Sequence, residues 1–128
     1  MSAAIRIVLS VLLALVAAHV SGQNAAANYP TKPIRWIIDF PPAGVSDILT
    51  RTVGQKLSEY LGQAFVYDNR PGANGIIANA LVAKAPPDGY TLLLNGSAMW
   101  LLPFMRDKVP YDPVKDFAPV TAVVSAPN

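Results

Sequence analysis

The chain has no cysteine. That excludes disulfides, thiolate metal sites, a cysteine nucleophile and a lipid anchor on cysteine. It has one histidine, His19, inside an apolar amino-terminal stretch. If that stretch is removed, neither Ser-His-Asp nor Cys-His catalysis can be assembled, and histidine-ligated zinc is excluded as well. Charge is scarce too: charged residues make up 14% of the chain, against a usual quarter. They form no basic cluster, so nucleic acid is not an expected partner. The dinucleotide pattern G-x-G-x-x-G and the nucleophile elbow G-x-S-x-G are both absent. General acid–base work would fall to Asp, Glu, Lys or Tyr alone. The expectation is a chain that is not an enzyme, with no cofactor and no metal.

Hydrophobic residues, by contrast, make up 52% of the 128 positions. Part of the excess lies at the start. Ile5 to Ala18 is apolar except for Arg6 and Ser10. The run is short of the roughly 20 residues a bilayer span needs. Its one early positive charge, Arg6, lies beside the amino terminus, and small residues follow, Val20-Ser21-Gly22 and then Ala25-Ala26-Ala27. This is the order of a signal peptide, and residues 1–27 are read as one, cleaved before the patterned sequence that starts near Tyr29. The alternative is an uncleaved membrane anchor. The formal charge is +2 from ten basic and eight acidic residues, so losing Arg6 leaves the remainder near +1. The expected location is periplasmic.

Residues 28–128 have room for one small domain. Ile34 to Phe40 is branched, aromatic and nearly continuous in apolar character, as buried parallel strands are. Pro41-Pro42 ends it. From Ser46 the period becomes helical: Ile48, Leu49, Val53, Leu57, Tyr60 and Leu61 share a spacing, and Gly62 supplies the stop. Ala64–Tyr67 reads as a second strand, Ile76–Lys84 as a second helix and Tyr90–Leu94 as a third strand. Trp100–Met105 reads as a short helical turn broken by Pro103. Pro110–Pro113 is a rigid turn, and Phe117–Val124 reads as one more strand. β-α-β-α-β with short connections predicts a parallel sheet.

Three loops follow the three strands, and in a parallel sheet such loops share one edge, where ligands bind. Ala43-Gly44-Val45-Ser46-Asp47 leads into a helix amino terminus whose free N–H groups favour an anion. Equally, Ser46 and Asp47 only cap that helix. Asn69 to Gly75 precedes the second helix. Its Arg70 either clamps a carboxylate or is solvated or paired with Asp68. Asn95-Gly96-Ser97-Ala98 is weak evidence alone. Trp36, Trp100 and the tyrosines read mainly as packing, Trp100 being a candidate for a pocket wall. Together the loops describe a site rich in neutral donors, suited to binding.

Four phrases carry a resemblance. They are Pro30-Thr31-Lys32-Pro33-Ile34, Asp68-Asn69-Arg70-Pro71-Gly72-Ala73, Pro87-Asp88-Gly89-Tyr90-Thr91-Leu92-Leu93 and Pro110-Tyr111-Asp112-Pro113-Val114-Lys115-Asp116-Phe117. In this order they resemble the substrate-binding proteins of tripartite tricarboxylate transporters, the Bug or TctC-type family. The resemblance runs from Tyr29 to Asn128. It implies an α/β fold like type II periplasmic binding proteins, of which this chain covers the first lobe, incompletely, up to the crossover. It implies capture of a small carboxylate-bearing solute for delivery to membrane permease subunits. Carried over by position, it implicates Ala43, Gly44, Ser46, Asp47, Gly96, Ser97 and Ala98 in ligand binding. Where the family often has two glycines, this chain has Ala43-Gly44, and where it often has a glycine pair, this chain has Asn74-Gly75. Met99 and Trp100 hint at a less polar or larger ligand. A periplasmic ligand sensor, or a truncated inactive product, are the alternative readings. One incomplete lobe is expected to bind carboxylates weakly or not at all, and to be marginally stable or self-associating.

Overall fold

The computed structural model describes residues 28–125. The expected signal segment and its cut site lie outside the described residues. The elements all belong to the unit that begins at Lys32. In chain order they are β1 (Ile34–Ile38), α1 (Val45–Leu61), β2 (Phe65–Asn69), a single 3-10 turn (Ala73–Gly75), α2 (Ile76–Ala83), β3 (Thr91–Leu94) and α3 (Ala98–Met105).

β1 is the middle strand of a three-stranded sheet in the order β2-β1-β3, and both pairings are parallel. The register sets Ile34 against Phe65, and Trp36 between Tyr67 and Leu92. A central parallel strand is covered on both faces, which explains why β1 is apolar at consecutive positions rather than alternate ones. Ile34, Trp36, Ile37 and Ile38 are all buried. Ile34, Trp36 and Phe65 form the core on the α1 side, joined by Val53, Leu57 and Leu61 of that helix. The Trp36 and Phe65 rings lie 5.5 Å apart. Ile37 points to the opposite face, as the two-residue period of a strand requires. Its full burial contributes about 1.5–3 kcal/mol. On the other flank α2 packs against β1 and β3 and buries Ala78 and Asn79.

Several local details differ from the sequence reading. Ile48 and Tyr60 share the helical spacing but face solvent, and Thr50 and Gly54 take the buried positions of α1. β1 closes at Ile38, so Asp39 and Phe40 belong to the loop, and β2 runs on to Asn69. Neither Ser46 nor Asp47 caps α1 by the usual side-chain bond; Gly44 occupies the N-cap. Gly62 ends the helix in the left-handed conformation, its N–H donating to Ser58 O at 3.0 Å.

α3 is a helix of two turns with Pro103 inside it, not a turn broken there. A proline removes the donor that the carbonyl four residues earlier would receive. That carbonyl is Met99 O, and the buried hydroxyl of Tyr111 donates to it at 3.2 Å. The replacement donor explains how the helix passes through Pro103.

The strand expected over Phe117–Val124 is not formed. A strand needs a ladder partner for its backbone groups, and hydrophobic character alone does not provide one. Among the described residues none pairs with this stretch, and Val120 and Val124 stand exposed.

Candidate functional site

The carboxyl ends of the three strands open onto a cleft of about 420 Å³. Residues 39–41 line it from the loop after β1. Residues 71–75 line it from the loop after β2, and Gly96 and Ala98 from the loop after β3. Parallel pairing brings them together, because every strand in the sheet ends on the same edge. A second hollow, of about 450 Å³, lies against α3 and the Tyr111–Val114 turn. It is mainly apolar and involves no strand end.

The wall from the second loop has an uncommon backbone. Gly72, Ala73, Asn74 and Gly75 all have positive φ, at 125°, 48°, 54° and 86°. Gly75 N–H closes the turn on Gly72 O at 3.0 Å. Glycine tolerates this region freely, whereas Ala73 and Asn74 are held there at a cost of about 1–2 kcal/mol per residue. Such strain persists only where the surroundings impose it, and it clusters at binding sites. Ala43 in the first loop is also left-handed, at φ 63°.

Asp47 holds the first loop. Ala43 N–H donates to its Oδ2 at 2.9 Å, Arg51 Nε to both oxygens at 3.0 Å, and Asn69 Nδ2 to Oδ1 at 3.0 Å. Asn69 Nδ2 also reaches Phe40 O at 3.0 Å, and Arg51 reaches Asn69 Oδ1 at 3.3 Å. Asn69 thereby ties the end of β2 to the loop after β1. The Arg51 bond first, then those from Ala43 and Asn69, pull the Asp47 carboxyl down to about 2. A depressed carboxyl contributes stability that is complete above the ordinary value near 4 and is lost as pH falls through about 2. Asp47→Asn is accordingly expected to lower Tm by several degrees at neutral pH, with the gap to the parent closing between about pH 4 and pH 2. Thermal unfolding by circular dichroism across that range checks it, and a gap that stays constant would refute the assignment.

Asp39 presents the opposite case. It sits one residue past β1, with its N–H on Leu94 O at 3.3 Å. It is among the residues that line the cleft. Oδ1 is buried and meets no donor among the described residues. Oδ2 lies so near the Gly75 backbone that a Cβ on Gly75 would come within 2.8 Å of it. Burial pushes the Asp39 carboxyl up to about 6, opposed in part by the N–H groups of Gly96 and of Asp39 itself.

Of the residues carried over by position, the structure brings Gly96 and Ala98 into the cleft. Ala43, Gly44, Ser46, Asp47 and Ser97 do not line it. Ala43 N–H is taken by Asp47, Gly44 O receives Ile48 N–H at 3.0 Å, and Ser46 O receives the Thr50 hydroxyl at 2.6 Å. Ser97 starts α3, its carbonyl accepting from Trp100 and Leu101. Arg70 turns to Asp68, Nε to Oδ1 at 2.8 Å, and Arg35 binds the same carboxylate, so no arginine lines the cleft. Trp100 lines the α3 hollow instead. From the sequence, the loop over Asn69–Gly75 is expected on this edge, though the residues carried over by position do not include it, and Asp39 is not singled out as a ligand contact. The available signal for Asp39 was a carboxylate closing an otherwise apolar strand.

Comparison with known proteins supplies the wider frame. Residues 49–128 match the family model described as the tripartite tricarboxylate transporter family receptor. A UPF0065 protein of Bordetella bronchiseptica is 45% identical over 120 residues, covering 92% of this chain and 36% of the relative. The periplasmic binding protein BugD is 31% identical with a TM-score of 0.66, over 70% of this chain and 30% of that one. MatC of Rhodopseudomonas palustris, solved with bound malate, is 34% identical with a TM-score of 0.62, over 72% and 32%. The chain therefore spans about a third of the length of the relatives it matches.

Proposed function

This chain belongs to the tripartite tricarboxylate transporter receptor family, and from that premise we propose that it captures a small carboxylate in the periplasm for delivery to a membrane permease. The observation that supports the reading is the strand-end cleft, where three loops meet over backbone groups and one titratable side chain. Short backbone segments at strand and helix ends offer N–H donors to an anion without a fixed cation. A site built this way holds a ligand and releases it intact. Among the residues lining the cleft no nucleophile–base pair is present, so the proposed role is capture and not turnover. The relative with bound malate lends support to a carboxylate as the ligand class.

A ligand resting on this cleft alone keeps much of its surface in water, and burial of the ligand provides most of a small-molecule site's affinity. Weak binding is the expected result. Titration of the isotope-labelled chain with malate and with straight-chain dicarboxylates, followed by NMR, should shift the amide resonances of Gly72–Gly75, Gly96 and Ala98. Shifts confined to the α3 hollow, or none at saturating dicarboxylate, would remove the support for this reading.

A further inference from the structure

We propose that the cleft accepts a ligand carboxylate together with a proton, which Asp39 takes up, so that Asp39 in its neutral acid form is the group that admits the anion. The inference rests on the carboxylate-capture reading and adds to it a requirement on charge. It begins from a conflict. Asp39 is the one titratable residue among those that line the cleft with the second and third loops. An ionised Asp39 would repel an incoming carboxylate at close range, where water is partly excluded and like charges interact strongly.

Among the described residues, nothing around Asp39 supplies a compensating cation. Residues 71–75 carry no titratable side chain, and neither do α2, β3, the Asn95–Ala98 loop or α3. On β1 itself, Arg35 is paired with Asp68. Beyond Phe40, the nearest charges of α1 are Asp47 and Arg51, which close on each other and on Asn69. Arg70 is held by Asp68. The conflict can then be relieved from within the cleft by protonation. The geometry already favours it: Oδ1 is buried without a donor, and an acid needs fewer donors than a carboxylate does. Gly75, having no side chain, lets its backbone approach Oδ2, and the Gly96 N–H serves either protonation state. With the carboxyl already raised to about 6, the proton comes at small cost near neutrality, and a bound anion raises the midpoint further.

The probes are dicarboxylates from succinate to adipate, which carry no amine or hydroxyl and so present Asp39 with nothing but carboxylate. NMR titration of the chain gives the affinity from about pH 5 to pH 8, and the Asp39 carboxyl carbon reports its own midpoint with and without ligand. Between pH 7 and pH 8 these ligands are almost wholly ionised, and the affinity is expected to fall, by up to about tenfold where the ligand holds the Asp39 midpoint above pH 8, the limit for linkage to one proton. The Asp39 midpoint should rise when ligand is present. Asp39→Asn should bind with no pH dependence over the same interval, and more tightly than the parent at pH 8. If the parent binds with a flat profile and an unmoved Asp39 midpoint, the proton coupling fails while capture stands. If Asp39→Asn loses binding at every pH while the parent binds, a neutral group at this position does not admit the anion and the proposal is overturned. If neither protein binds any dicarboxylate at any pH, the capture reading and the coupling fall together.

Discussion

Gly75→Ala is expected to lower the stability of the chain by about 2 kcal/mol, a large share of what a small domain has. Two costs contribute. The backbone at Gly75 has φ 86°, where an L side chain is penalised by about 1–2 kcal/mol. The new methyl would also lie 2.8 Å from Asp39 Oδ2, so the carboxylate must leave its rotamer, at a cost of about 0.5–1.5 kcal/mol. A double-mutant cycle separates the two. In an Asp39→Ala background the oxygen is gone, and the methyl would lie 3.5 Å from the Cβ that remains, an ordinary contact. There the substitution should cost the backbone part alone. Urea denaturation of the four proteins gives the coupling, and additive effects would show that Gly75 is glycine for its backbone only.

Asp39→Asn is expected to act in the opposite direction and to depend on pH. The folded carboxyl is raised to about 6, above the ordinary value near 4. The contribution Asp39 makes to stability is therefore complete below about pH 4 and is lost as pH rises through 6. A displacement of about two pH units corresponds to about 3 kcal/mol at most, and partial exposure of the side chain reduces this to about 1–2 kcal/mol. Asparagine has the same shape and no charge to desolvate. The variant should thus be more stable than the parent by about 1–2 kcal/mol at pH 8, and indistinguishable from it at pH 4. Chemical denaturation at the two pH values decides it, and a difference of equal size at both would mean that the carboxyl is not the cause.

A stabilising substitution at a cleft residue has a simple meaning. A buried carboxyl with one oxygen lacking a donor is a poor way to build a strand end. Its presence in the wall of the cleft suits a role in binding, since sites that handle charge commonly carry groups the fold alone would not favour.

Much of the architecture is legible in the linear chain because its causes are local. Ile34–Ile38 is apolar at every position but Arg35, as a strand covered on both faces is. Gly62 stops α1 because it reaches φ 70° without strain. Strand, helix, strand, helix, strand in that order, with connections this short, leaves a parallel sheet as the solution, and its loops then fall on one edge. Membership of the family follows from the same ordered phrases and agrees with the family match over residues 49–128. The strand expected at Phe117–Val124 shows where local pattern stops. Val120, Val123 and Val124 suit a ladder, but a ladder is made by a partner.

What only the tertiary structure decided is how side chains distant in sequence divide the work of the cleft. Asp47 and Asp39 are both acidic residues beside the first loop, and nothing in their spacing distinguishes them. Asn69 and Arg51, brought by the end of β2 and the second turn of α1, surround Asp47 with donors and hold it ionised within the framework. Gly75, brought by the second loop, crowds Asp39, and Gly96, brought by the third, offers it an N–H, while Oδ1 stays buried without a donor. Ser46 and Gly44 look like anion-binding groups in the sequence, and the fold places them at the start of α1, outside the cleft lining. The sequence by itself determined the three paired strands, the first two helices and the sheet edge on which their loops fall, because those follow from periodicity, turn chemistry and the handedness of the chain. The tertiary structure alone decided which carboxylate is structural and which is poised to take a proton, because a carboxyl's charge depends on donors and burial supplied by residues that only the fold brings near.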